Sequence, residues 1–294
     1  MPLLLMTVML MWGVNIPAVK ALTGVIDVVW VGVIRLVEAT AVLTLLLLLR
    51  DRKLPRLTRV QWWTLAQIAF LMIYLNQLLF TQGTHLSSAT NTSLVMALMP
   101  LLSLIGGALA FREAVSTRAL LGLALGFAGV AVVVLFAPGA TLAVAGAGEL
   151  LVMAALVTFV SGGLLVQRVT RDLDVLVVGW AVYVLGTSML LTHAALHGGW
   201  AQAAAAIDGP WIWFCALYSG IFGTALGNVG WYYAINRVGQ SRASPYLYWL
   251  PIIGVAASAV LLREPLGVWH GVGLLLVIGG TRIGAGTPKV VPAV

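Results

Sequence analysis

The sequence predicts an all-α integral membrane protein of ten transmembrane helices, built as two inverted five-helix repeats. Three observations predict it: apolar blocks of spanning length, cations gathered on alternate connections, and an internal repeat. Of 294 residues, 61% are hydrophobic and 9% charged, which leaves too few polar groups to cover a soluble globule. The apolar residues fall into blocks of roughly 20, the length that about 30 Å of hydrocarbon requires at 1.5 Å per helical residue. A membrane β-barrel would show alternating apolar and polar residues. Runs such as Leu43 to Leu49 and Leu121 to Leu135 do not alternate.

Read between charged or Gly/Pro-rich breaks, the spans are 2–22, 29–49, 62–82, 88–110, 118–136, 149–168, 175–195, 211–235, 242–262 and 267–285. The net charge of +7 could suggest a nucleic-acid partner, but the basic residues sit at span ends and in short loops rather than in a basic domain. They orient the chain instead. Arg50, Arg52, Lys53, Arg56 and Arg59 crowd one loop, which the positive-inside bias assigns to the cytoplasm. Alternating from there puts both termini inside and places 13 of the 16 Lys and Arg residues on the cytoplasmic side. Lys20 and Arg263 fall outside, and Arg35 falls within a span. The expected location is the plasma membrane, a bacterial inner membrane. The chain opens at Met1-Pro2 without a charged leader, so no cleavable signal peptide is expected. The single Cys215 allows no intramolecular disulfide and no cysteine metal site.

Sliding the sequence by 151 positions pairs Ser93 with Ser244, Pro100 with Pro251, and Arg112-Glu113 with Arg263-Glu264. The register continues through Gly122 with Gly273 and Gly129 with Gly280. The repeats are expected to be residues 1–140 and 141–294. Each holds five spans, an odd number, so the second enters the membrane with the opposite orientation. Inverted halves that rock about a pseudo-two-fold axis expose a central site alternately to each side, the design of secondary transporters.

The repeated Pro-x(11)-Arg-Glu followed by a Gly-rich span resembles the EamA-type drug/metabolite transporter superfamily. Trp12-Gly13-Val14-Asn15-Ile16-Pro17 resembles that family's opening motif, Arg35 stands in the place of its second-helix arginine, and Phe159 and Arg168 approximate its sixth-span pattern. Within the superfamily the chain is most similar to YddG-type exporters of aromatic and other amino acids. The resemblance implies export of small metabolites by alternating access, with multidrug or nucleotide-sugar carriers as the alternative on the same scaffold.

A transport site needs a midplane cavity with a few polar groups among apolar walls. Trp12 and Asn15 share a face of the first span, and Thr224, Asn228 and Trp231 share one of the eighth. Asn228 corresponds to Gln77 under the repeat, and Tyr74 lies one turn before Gln77. Ser93, Met96, Ser244 and Tyr248 lie on the proline-containing spans. These are the candidate substrate contacts; the competing reading is interhelical hydrogen bonding. Pro100 and Pro251 are candidate gating positions, since a mid-helix proline removes a backbone bond and kinks the helix.

Arg35 and Glu38, three residues apart on one face, are expected to pair with each other, and the sharper alternative gives Glu38 a proton-coupling role. His85, near a span end, is a second proton candidate. His193 and His197 have a chelating spacing but no third ligand, so no metal is expected. Trp30, Trp62, Trp63, Trp200, Trp211, Trp213 and Trp269 lie at span ends and read as interfacial anchors. Trp12, Trp180, Trp231 and Trp249 lie deeper. No Gly-x(4)-Gly-Lys-Ser/Thr loop, His-Glu-x-x-His motif or plausible catalytic carboxylate pair is present, which argues against an ATP-driven pump and a membrane enzyme. No cofactor is expected. The expected partners are a small-molecule substrate, an amino acid or related metabolite, and lipid, with the chain monomeric.

Overall fold

The computed structural model describes residues 1–50, 56–111, 117–136, 145–238, 243, 246–247 and 249–284. Among these, every long apolar block is helical and no strand occurs. This is the arrangement that lets each segment satisfy its own backbone in lipid. The helices are α1 (Pro2–Thr23), α2 (Val28–Leu49), α3 (Arg59–Leu86), α4 (Ala89–Met96), α5 (Met99–Phe111) and α6 (Thr117–Phe136). The second group is α7 (Ala145–Val169), α8 (Val175–His197), the short α9 (Trp200–Ala206), α10 (Gly209–Arg237), α11 (Trp249–Leu261) and α12 (Val268–Gly284). Among the described residues, α1, α2, α3, α7, α8 and α10 are long and apolar enough to cross a membrane. Shorter apolar stretches cover Ala89–Ser103, Trp249–Leu261 and Val268–Gly280.

Local sequence sets the helix starts. Asp27 caps α2 by accepting from the Val29 amide at 2.9 Å. Thr58 and Gln61 form a reciprocal capping box on α3, and Ser88 caps α4 through the Asn91 amide at 3.0 Å. Each cap satisfies amides that the first helical turn leaves without partners. One half of the repeated Arg-Glu pair acts the same way across the bundle. Glu264 accepts from the amides of Ala89 and Thr90, both at 2.9 Å, and from the Thr90 hydroxyl at 2.6 Å. The other half, Arg112-Glu113, lies outside the described residues.

Both α3 and α10 widen into π-helical turns, at Ala69–Leu75 and Tyr218–Leu226. Such turns are rare and concentrate at functional sites. The expectation of mid-helix kinks at Pro100 and Pro251 is corrected by where the helices break. Ala97 and Leu98 bond to Leu94 and Val95, three residues back, and α5 starts afresh at Met99, so Pro100 sits in its first turn. Pro251 likewise is the third residue of α11. A proline in a first turn forfeits no helical hydrogen bond.

In the packed bundle α1 lies against α10 and α11, α7 against α3 and α5, α2 against α8, and α6 against α12. Small residues permit the closest crossings. A Cβ on Gly129 would stand 2.8 Å from the Gly273 carbonyl, and one on Gly280 would stand 2.6 Å from the Gly122 carbonyl, so α6 and α12 meet backbone to backbone. Trp30 departs from its expected role as an interfacial anchor. It is buried, donates its indole N–H to the Gly198 carbonyl at 2.6 Å and packs on Trp200. Trp249 is 47% exposed on the outside of the bundle.

Candidate functional site

The helices surround a central cavity, the concave and mostly apolar setting in which small-molecule sites occur. Trp12, Asn15 and Ile16 of α1 form one wall, with Arg35 and Leu36 of α2 beside them. From α3 come Met72, Ile73, Asn76, Gln77 and Phe80; α4 and α5 add Met96 and Met99. The remaining walls are Ala155, Leu156 and Phe159 of α7, Tyr183 of α8, and Gly223, Thr224 and Asn228 of α10. Residues from both ends of the sequence therefore share one chamber.

The wide turn of α10 organises the polar wall. Arg35 donates from Nη2 to the Thr224 hydroxyl at 3.0 Å, and that hydroxyl donates onward to the Ser219 carbonyl at 2.7 Å. Ser219 donates to Asn15 Oδ1 at 2.6 Å. The Tyr183 hydroxyl accepts from Asn228 Nδ2 at 2.5 Å and donates to the Thr224 carbonyl at 3.2 Å. Glycines let the helices approach this closely. A Cβ at Gly223 would overlap Asn15, one at Gly220 would overlap the Glu38 carboxyl, and one at Gly227 would lie 2.6 Å from Trp12 Nε1.

The apolar wall is aromatic and thioether-rich. Trp12 meets Phe159 edge to face, with centroids 5.9 Å apart, and tilts against Trp231 at 5.6 Å. Arg35 also lies over the Phe80 ring, 5.8 Å from its centroid. Large flexible side chains such as Met72, Met96 and Met99 can conform to cargo of varied shape.

Comparison with known proteins places this architecture. The profile of the EamA-like transporter family matches residues 1–135 and again 146–283. The chain belongs to the EamA-like transporter family. Among its relatives, the uncharacterized transporter YvbV of Bacillus subtilis (strain 168) is 29% identical over 278 residues, covering 94% of this chain and 88% of that one. A probable amino-acid metabolite efflux pump of Salmonella typhimurium is 27% identical over 197 residues, 65% of each chain. A solved crystal structure superposes with a TM-score of 0.70 at 17% identity, covering 96% of this chain and 94% of that one; it speaks for the fold alone.

Within this EamA protein the sequence-predicted residues divide. Trp12, Asn15, Gln77, Met96 and Asn228 come together on the cavity wall. Trp231 stands behind Trp12 and is buried. Tyr74 points elsewhere, with its hydroxyl 2.9 Å from His193 Nδ1 on a separate surface depression. Ser93 is buried against Gly254 and donates to the Ala89 carbonyl at 2.7 Å. Ser244 and Tyr248 lie outside the described residues. His85 is at the end of α3, its Nδ1 2.7 Å from the Thr23 carbonyl, and does not line the cavity.

The expected Arg35–Glu38 pair does not form. Arg35 turns to Thr224 on α10, while Glu38 is held against Gly220 and its Oε2 has no hydrogen-bond partner. His197 pairs instead with Asp27, at 3.3 Å. Sequence reasoning passed over Tyr183, Asn76 and Phe80. Tyr183 had a signal in the repeat, because its position and that of Asn228 correspond to Gly32 and Gln77, which also touch, with a Cβ on Gly32 falling 3.2 Å from Gln77 Cγ.

Proposed function

We propose that the chain is a secondary transporter that exports small metabolites, amino acids including aromatic ones foremost, across the plasma membrane by alternating access. The observation that carries this reading is the single chamber lined by residues of both sequence halves, polar on one wall and aromatic on the other. The Salmonella relative, named a probable amino-acid metabolite efflux pump, favours the same cargo class. Ten spans in two inverted repeats, 1–140 and 141–294, are part of the proposal, as is the cytoplasmic placement of both termini.

Reciprocal contacts support the inverted repeat. Gly129 meets Gly273, and the positions 151 residues away, Gly280 and Gly122, meet as well. Arg35 meets Thr224, and their counterparts Gly186 and Ile73 meet in turn. The two π turns stand in the same relation. Contacts that survive exchange of the halves are what a pseudo-two-fold axis produces. On this reading the helix break before Pro100 is the bending point of one gate, and Pro251, its counterpart under the repeat, marks that of the opposite gate.

Purified protein in liposomes tests the proposal. Saturable, competable amino-acid flux is the expected result. An ohmic current would indicate a channel, and chemical conversion of the solute an enzyme.

A further inference from the structure

We infer that the cavity recognises a carboxylate, with the Arg35 guanidinium as its countercharge and Gln77 as a second donor, and makes no demand for an ammonium group on its cargo. This inference rests on the transport reading and names the chemistry of that site.

The argument begins from Arg35. Its side chain is buried, at 4% exposure, yet lines the cavity. Only Nη2 has a protein partner, the neutral hydroxyl of Thr224. Nε and Nη1 bond to no protein group, and Gln77, 5% exposed on the same cavity wall, leaves Nε2 without one. Three buried donors, carried by two residues of the chamber's lining, thus lack acceptors among the described residues. A guanidinium presents its N–H groups in a planar fork that matches the two oxygens of a carboxylate.

Among the described residues no acidic side chain lines the chamber. Glu38, three residues further along α2, is taken up against Gly220 of α10 and bonds to none of the Arg35 donors, so the guanidinium's fork is left without a carboxylate partner. Leaving buried donors of a charged group unbonded inside a membrane protein is unfavourable, and a carboxylate ligand relieves it. The same absence means that nothing in the lining offers a countercharge to an ammonium. The cargo's apolar body is accommodated by Trp12, Phe159 and the methionines. The ligand class that fits is an aromatic or large apolar monocarboxylate, amino acids being one case of it.

Competition against radiolabelled phenylalanine on the purified protein tests this, with three compounds that each differ from it at one group. 3-Phenylpropionate, lacking the amine, is expected to compete within about threefold of phenylalanine, and phenethylamine and phenylalaninamide at least about tenfold more weakly. Arg35→Gln should reduce that preference to less than about threefold, while Arg35→Lys, which keeps the charge, should retain part of it. Phenethylamine competing as well as 3-phenylpropionate, an unchanged preference in Arg35→Gln, or no binding by any carboxylate overturns the inference. The wild-type series needs no variant to fold. Saturable amino-acid flux in liposomes together with failed carboxylate selectivity would leave the carrier standing and remove the carboxylate site. Carboxylate binding through Arg35 without any flux would do the reverse.

Discussion

Thr224→Val isolates the hydroxyl on which the polar wall turns, because valine keeps the branched shape and removes only the oxygen. That oxygen accepts from Arg35 Nη2 at 3.0 Å and donates to the Ser219 carbonyl at 2.7 Å. The first bond involves a buried charge, a class that contributes about 1.5–3 kcal/mol, and the second is neutral, contributing about 0.5–1.5 kcal/mol. Among the described residues the Arg35 guanidinium has no other protein hydrogen bond, so the loss leaves it held only by its contact with the Phe80 ring. The expected destabilisation is therefore about 2–4 kcal/mol. Unfolding with increasing SDS in mixed micelles, followed by tryptophan fluorescence, measures it. Thr224→Ser should restore most of the loss, since it keeps the oxygen. The freed Arg35 should also bind carboxylates less tightly in the Val variant. A Val variant within about 0.5 kcal/mol of wild type, with unaltered ligand affinity, would refute the view that Thr224 positions Arg35.

Three further outcomes are expected. Gly280→Ala should destabilise by about 1–3 kcal/mol, because its Cβ would stand 2.6 Å from the Gly122 carbonyl and 2.7 Å from the Gly126 amide nitrogen, whereas Gly271→Ala, with nothing within 4 Å, should be neutral in the same unfolding assay. Cysteines at Ala147 and Gly199 should react with an impermeant thiol reagent on intact cells, and those at Arg52 and Arg118 should not; labelling of 52 without 199 would reverse the topology. Pro100→Ala and Pro251→Ala should bias the cavity toward opposite sides, read as shifted labelling ratios of a cysteine at Met96 on the cavity wall. Unchanged ratios in both stably inserted variants would end the gating role.

Hydrophobic length made the helical framework legible. The expected spans 62–82 and 149–168 lie inside Arg59–Leu86 and Ala145–Val169, because a polar or charged flank ends an apolar run on either reading. Asn15, Gln77 and Asn228 were legible for a related reason: an amide inside such a run needs a partner or a cavity. Tyr74 was misread because helical spacing put it on the Gln77 face. The π turn over Ala69–Leu75 winds by fewer degrees per residue and carries it around to His193. Arg35 and Glu38 were read as partners from their spacing along one helix, whereas Gly220 lets α10 come close enough to take up the Glu38 carboxyl while Thr224 takes Arg35. That approach is a tertiary fact, invisible to any pattern within α2. Tyr183 was passed over because an aromatic in an apolar span carries no mark of its own, and only its position relative to Asn228 reveals it.

Counterflow tests the central claim most directly. Liposomes containing the purified protein are loaded with excess unlabelled phenylalanine and diluted into a trace of labelled phenylalanine. A single cavity that faces one side at a time exchanges cargo, so the account predicts transient accumulation of label inside above its outside concentration, abolished when the internal load is omitted. Label that only equilibrates, at a rate indifferent to the internal load, would contradict an alternating-access carrier.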